Sequence, residues 1–173
     1  MDSRDHDELN YSILISRFES SGQWDRVLKT ALEWLAREPN LATAHLAAGQ
    51  SLLNLKRFSE AEPHLAHVLA LQPENDIALR FMSIAQFGQK RFEKADECIR
   101  RAIALNPNDA YHWLHLANMC YHQEDIGSAG KYAQKARELA PRNPAVLSIV
   151  ALCGSQGDIQ QLQRYKEIGR AHV

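Results

Sequence analysis

The sequence predicts an all-α fold, an α-solenoid of stacked antiparallel helix pairs, on three observations. First, Pro39, Pro73, Pro107 and Pro141 recur at a step of 34 residues. A fixed period of that size marks a repeat array, and 34 is the period of a helix–turn–helix unit. Second, a small residue stands in the middle of each first helix (Gly49, Ser83, Ala117, Ala151), just after Ala48, Met82, Leu116 and Val150. Third, each second helix opens on an apolar residue: Trp24, Phe58, Phe92, Ile126. It then repeats one pattern through Val27, Ala61, Ala95 and Ala129, through Ala31, Leu65, Ile99 and Ala133, and through Trp34, Val68, Ala102 and Ala136. Helices of about 12 to 14 residues are marginal alone in water. Each must bury one face on its neighbours, which is how a repeat array is held together.

The elements follow in order. Residues 1–7 read as a flexible lead-in. The first helix is expected from about Glu8 to Ser20, with Leu9, Tyr11, Ile13, Leu14, Ile15 and Phe18 supplying apolar surface. Ser21-Gly22-Gln23 turns the chain, and the second helix runs from Trp24 to about Arg37. Pro39 then cannot continue it and restricts the residue before it. The second repeat opens near Leu41 and turns at Lys56-Arg57. Ser59 with Glu62 three residues on predicts a capping box. Pro63 is expected in the first turn of its helix, where a missing N–H is tolerated. Asn75-Asp76 and Asn108-Asp109 are cap signals for the third and fourth repeats. Their turns are Gln89-Lys90-Arg91 and Gln123-Glu124-Asp125. Asn143-Pro144, a cap followed by proline, opens a fifth. Its turn is Ser155-Gln156-Gly157-Asp158, about one residue short of register, and Ile159 opens the last helix. The repeats are thus about 8–41, 42–75, 76–109, 110–143 and an incomplete 144–167. The closing IGRAHV reads as a common sequencing-library adapter translated in frame. Ile168 to Val173 is therefore expected to be non-native, the native chain to continue, and Ile159, Leu162 and Tyr165 to stay partly uncovered.

Trp113, Leu116, Ala117, Ala129, Ala136 and Pro141 resemble the signature of the tetratricopeptide repeat family, over about residues 8 to 165. The first repeat departs from it with Ile15 in the small slot and Val27 in the alanine slot. The third departs with Gln86 where the family usually places a large residue. The resemblance implies a right-handed solenoid whose first helices line a concave groove for an extended or helical peptide. The slots on that face hold Leu46, Gln50 and Leu53, then Arg80, Ile84 and Phe87. In the fourth repeat they hold Tyr111, Leu114, Asn118, Tyr121 and His122, with His115 adjoining. Arg80 is the groove's cation. Gln50 and Asn118 can pair with a peptide backbone, and Phe87, Tyr111 and Tyr121 can take apolar side chains, since aromatic anchors dominate interface energy. Phe87 and Tyr111 could equally serve to pack one repeat on the next. The carboxylate clamp of chaperone-tail binders is not matched, because its slots hold mainly Leu, Ser, Thr and Gln, with Arg80 alone in agreement.

Composition narrows the function classes. Over 173 residues the net charge is −1, so no basic surplus argues for nucleic acid or an anionic membrane. No run of 18 apolar residues argues for a membrane span. MDSRDHDELN lacks the apolar core of a secretory signal. Cys98, Cys120 and Cys153 are odd in number and lack CxxC spacing, which fits a reduced, cytoplasmic setting. His112, His115 and His122 share one helix near Cys120, and His64 and His67 form a second pair one turn apart. Neither set supplies the three or four convergent ligands a metal site needs, so no metal and no cofactor is expected. No nucleophile elbow, P-loop, dinucleotide fingerprint or zincin motif is present. The expected function is a cytoplasmic, bacterial-type adaptor that binds a protein or peptide and is not an enzyme. The alternatives are the recognition region of a larger transferase or membrane protein, and a scaffold that self-associates through its uncapped last helix.

Overall fold

The structure is a computed structural model that describes residues 3–155, with side chains from Asn10 onward. Every regular element among these residues is an α-helix. The chain forms two compact units, one ending at Leu105 and one beginning at Asn106.

The first unit holds α1 (Ser3–Ser20), α2 (Trp24–Arg37), α3 (Ala42–Asn54), α4 (Phe58–Leu71), α5 (Asp76–Gly88) and α6 (Phe92–Leu105). Successive helices pack on one another, and α3 also touches α5. The recurring slots are its core: Val27, Ala31, Ala61, Leu65, Val68, Ala95, Ile99 and Ala102 are all fully buried. Each large side chain so buried contributes about 1.5–3 kcal/mol relative to exposure. The small slot has a steric cause. A Cβ on Gly49 would lie 2.7 Å from Cδ2 of Leu65, whose buried side chain cannot swing away. One period later Ser83 fills the slot, and its hydroxyl donates to the Ala95 carbonyl at 2.7 Å, tying α5 to α6. Gln86, the departure from the family pattern, is also buried, and its Oε1 accepts from the Cys98 thiol at 3.6 Å.

The tight turns repeat as closely as the core. Gly22, Lys56 and Lys90 take φ of 66°, 59° and 62°. The amides just after Lys56 and Lys90 reach back to the ends of the preceding helices: Arg57 to the Leu52 carbonyl at 2.8 Å, Arg91 to that of Gln86 at 2.9 Å. A left-handed residue closing such a bond is the Schellman end of a helix.

Three local expectations are corrected. The first helix starts at Ser3, ahead of Glu8. No capping box forms at Ser59: α4 begins one residue earlier, at Phe58, with Arg57 at the cap position and no side-chain capping bond there. Ser59 is thus already helical, and Glu62 faces the next turn, where its carboxylate accepts from the Arg91 guanidinium at 2.6 and 3.1 Å and from Gln89 Nε2 at 3.2 Å. Arg91 holds the Glu62 carboxyl below its usual range. Pro63 is not in the first turn but is the sixth residue of a helix that opens at Phe58. There it removes an interior N–H that would bond to the Ser59 carbonyl. The Asn75 cap does form, accepting from the Ala78 amide at 2.8 Å.

The second unit holds α7 (Ala110–His122), α8 (Ile126–Leu139) and a further helix over 144–155. Side-chain caps open all three. Asp109 accepts from the Tyr111 amide, Asp125 from that of Ser128, and Asn143 from that of Ala145. Leu114, Ala117, Ala129, Ala133, Ala136, Val146, Ile149 and Cys153 form its core. Glu124 is the left-handed residue of its turn, with φ of 64°. Ala151, the small slot of the fifth repeat, is exposed, and the helix expected to cover it lies outside the described residues, as do Ile159, Leu162, Tyr165 and the suspected tail Ile168 to Val173. None of the helices among the described residues is long and apolar enough to cross a membrane.

Candidate peptide-binding faces

In the first unit the candidate residues come from α3 and α5, two helices that touch. Gln50, Arg80, Ile84 and Phe87 are each half-buried, so every one keeps surface for a ligand. Gln50 and Ile84 hold the same slot one period apart. The Arg80 guanidinium carbon lies 4.6 Å from the centroid of the Phe81 ring. A cation over an aromatic face is held electrostatically at low hydration cost, which pre-orders it for a carboxylate or a carbonyl. Ile84 packs on the core from its edge. Phe87 meets Phe92 of α6 at 5.2 Å, tilted by 58°. That contact lies within its own repeat. Leu53 is in the core, and Leu46 is partly buried against it.

In the second unit all the candidates lie on α7. Asn118, His115 and Tyr121 are half-buried, and His122 is exposed. Tyr121 packs on the core with its ring edge toward His122 at 6.1 Å. Tyr111 is 51% exposed, and its hydroxyl accepts from Asn143 Nδ2 at 3.2 Å, so it braces the cap of the following helix. Leu114 is buried. Of the histidines of α7, His112 is fully buried, with Nδ1 3.8 Å from an Asp109 carboxylate oxygen, while His122 is exposed.

Burial pushes the Cys98 and Cys153 thiols up, away from the depressed range of a reactive cysteine. A residue that sequence reasoning missed is His45. It stands on α3, facing the His64 and His67 pair of α4, with its Nδ1 2.9 Å from that of His64 and its ring 4.1 Å from that of His67. Spacing along a single helix cannot show this. Slot alignment could have, since His45 falls 68 residues before Trp113, the family's aromatic slot. Burial, with His45 and His67 adding to it, lowers the His64 pKa below the ordinary value.

The comparisons with known proteins agree with this fold. Residues 52–119 match a family model described as tetratricopeptide repeat. The chain is 28% identical over 95 residues to the human RANBP2-like and GRIP domain-containing protein 1; that match covers 54% of this chain but spans only 5% of the relative's length. A structure of MamA (41-end) from Desulfovibrio magneticus RS-1 is similar at a TM-score of 0.66 and 26% identity, covering 80% of this chain and 77% of that one. A thermophilic TPR protein of Thermus thermophilus shares the fold at a TM-score of 0.73 and 16% identity, covering 81% and 77%. Helical-repeat solenoids of this kind ordinarily serve as protein-interaction scaffolds rather than catalysts. Residues 52–119 thus match the tetratricopeptide repeat family, and the described helices share the helical-repeat fold of these solved structures.

Proposed function

We propose that the chain is a non-catalytic, cytoplasmic adaptor that holds a peptide or protein segment against its first helices, with Arg80 as the central contact. The observation that carries this reading is the incomplete burial of Arg80 beside Gln50, Ile84 and Phe87, on helices whose other inward slots hold the buried Leu53 and the partly buried Leu46. A half-buried Arg over an aromatic face, flanked by an amide and apolar edges, suits a segment with a carboxylate or backbone carbonyls next to an apolar side chain. On α7 the corresponding face offers Asn118 for backbone pairing, Tyr121 as an apolar surface, and Tyr111, His115 and His122 at its margin. The test is selection from a displayed peptide library on the full chain, followed by titration of the selected peptides. Arg80→Glu is expected to weaken them by about tenfold or more, the scale of truncating an interface anchor. Unchanged binding with an unchanged helical spectrum sinks the assignment.

A second reading is favoured by the small share of the matched relative. The array would be the recognition region of a longer protein, an enzyme or a membrane protein, whose chemistry lies elsewhere. Reading the source gene past the codon for Tyr165 separates the two. Self-association through the last helix is a third outcome, read by concentration-dependent sedimentation.

A further inference from the structure

We propose that His45 and His64 form a proton-sensitive latch that holds α3 against α4 at neutral pH and releases it on acidification. The latch is a property of this helix pair and does not depend on what the first helices bind.

The bonding pattern fixes the tautomers. The Pro39 carbonyl can only accept, so His45 Nε2, 2.9 Å away, carries a hydrogen and donates it. In a neutral ring, His45 Nδ1 is then the acceptor. It receives the Nδ1–H of His64 at 2.9 Å. The ring centroids are 5.1 Å apart, so the two nitrogens face each other nearly along the line that joins the rings. That arrangement suits one shared hydrogen. A metal ion would need both lone pairs turned toward a third point.

A further proton has no good place to go. On His45 it would set one N–H against another and break the bond. On His64 it would put a charge in a half-buried site among imidazoles. The groups whose charge acts on His64 are His45, from α3, and His67, from α4 itself; no carboxylate is among them, and both neighbours oppose protonation along with burial. His67 lies against His45 with ring centroids 4.1 Å apart and the rings tilted by 34°, and its buried Nε2 has no hydrogen-bond partner. The cluster therefore packs well only when neutral. Because the folded chain binds the His64 proton less readily than the unfolded one, this stability is complete above the ordinary histidine value of about 6.5. It is lost as pH falls from there through the lowered folded pKa.

The test uses the full chain. Amide exchange in α3 and α4, corrected for chemical rate, is followed between about pH 7.5 and about pH 5.5, which brackets the ordinary histidine pKa. The wild type is expected to open several-fold more at the acid end. His45→Trp with His64→Tyr, which installs the pair found at Trp113 and Tyr132, is expected to remove that rise. An equal rise in the double variant overturns the latch, as does no rise in the wild type. Nitrogen NMR of the imidazoles in the unsubstituted chain decides the matter even if the variant does not fold. His64 titrating at or above the value of free histidine overturns it. So does protection of the wild type, and not of the variant, by added zinc ions, which would give the pair to a metal.

Discussion

The α3–α4 pair of the first unit and the α7–α8 pair of the second fill the same slots with different chemistry. In one, His45 meets His64 with ring centroids 5.1 Å apart; in the other, Trp113 meets Tyr132 at 6.0 Å. Both pairs are separated by the same number of residues in the chain. In both, the first ring also donates an N–H to the carbonyl of the proline that ends the preceding repeat, at 2.9 Å to Pro39 and 2.8 Å to Pro107. In these two repeats the slot holds a flat ring with an N–H at its edge, whereas the first and third repeats fill it with Tyr11 and Leu79. Indole offers area that water cannot titrate. Imidazole offers less area and a bond that depends on pH.

That difference sets the largest expected effect. Trp113→Ala removes a half-buried indole, its contact with Tyr132 and a bond to a backbone carbonyl. A loss of about 2–3 kcal/mol is expected, at the low end for large aromatic truncations because the ring keeps some exposure. His45→Ala near neutral pH is expected to cost about 1–2 kcal/mol, since less apolar area and two modest hydrogen bonds are lost. Local opening free energies from amide exchange, read over residues 110–139 and 42–71, check this. Equal losses would mean that ring area is not what distinguishes the pairs.

The second helices differ one residue before the ring. Pro63 of α4 stands where α8 has Lys131. Both positions are exposed, so nothing in the core explains the proline. Pro63→Lys restores an interior N–H and removes the ring's clash with the preceding turn. Proline is about 3 kcal/mol worse than alanine in a helix interior, and lysine is near alanine. A gain of about 1–3 kcal/mol is expected, seen as a higher urea midpoint. No gain would mean that α4 has already bent to absorb the ring.

Much of this was legible in the sequence because it is periodic. The 34-residue step places the buried alanines of the second helices, the left-handed turn residues and the Asn75, Asp109 and Asn143 caps, since each is a local demand repeated in register. What escaped was set by pairs of helices. Ser59 and Glu62 look like a capping box in isolation, but Arg91, from the turn after α5, claims Glu62. His45 and His64 lie on different helices, and only packing joins them. The buried hydroxyl of Ser83 on the Ala95 carbonyl is likewise invisible to a pattern that asks only for a small residue. The candidate peptide face was legible only as slots. Its side-chain character, with Arg80 over Phe81 and Tyr111 tied to Asn143, depends on neighbours that periodicity does not name.

The turns give the smallest expected effect and the closest test of equivalence between the two regions. Lys56 ends α3 and Glu124 ends α7, with φ of 59° and 64°. Glycine holds that position in the first turn, at Gly22. For an L-residue the left-handed region costs roughly 1–2 kcal/mol, because Cβ crowds the carbonyl oxygen that follows it. Glycine avoids that cost but loses more freedom on folding. Lys56→Gly and Glu124→Gly are therefore each expected to gain about 0.5–1 kcal/mol, read as a small rise in the urea midpoint, and Gly22→Lys to lose a similar amount. The gains should match, because the bonds that close the turns match: Arg57 to the Leu52 carbonyl at 2.8 Å, Asp125 to that of Cys120 at 3.0 Å. If one substitution stabilised and the other did not, the two turns would not be equivalent, and the difference between the pairs would extend from their ring slots into the backbone.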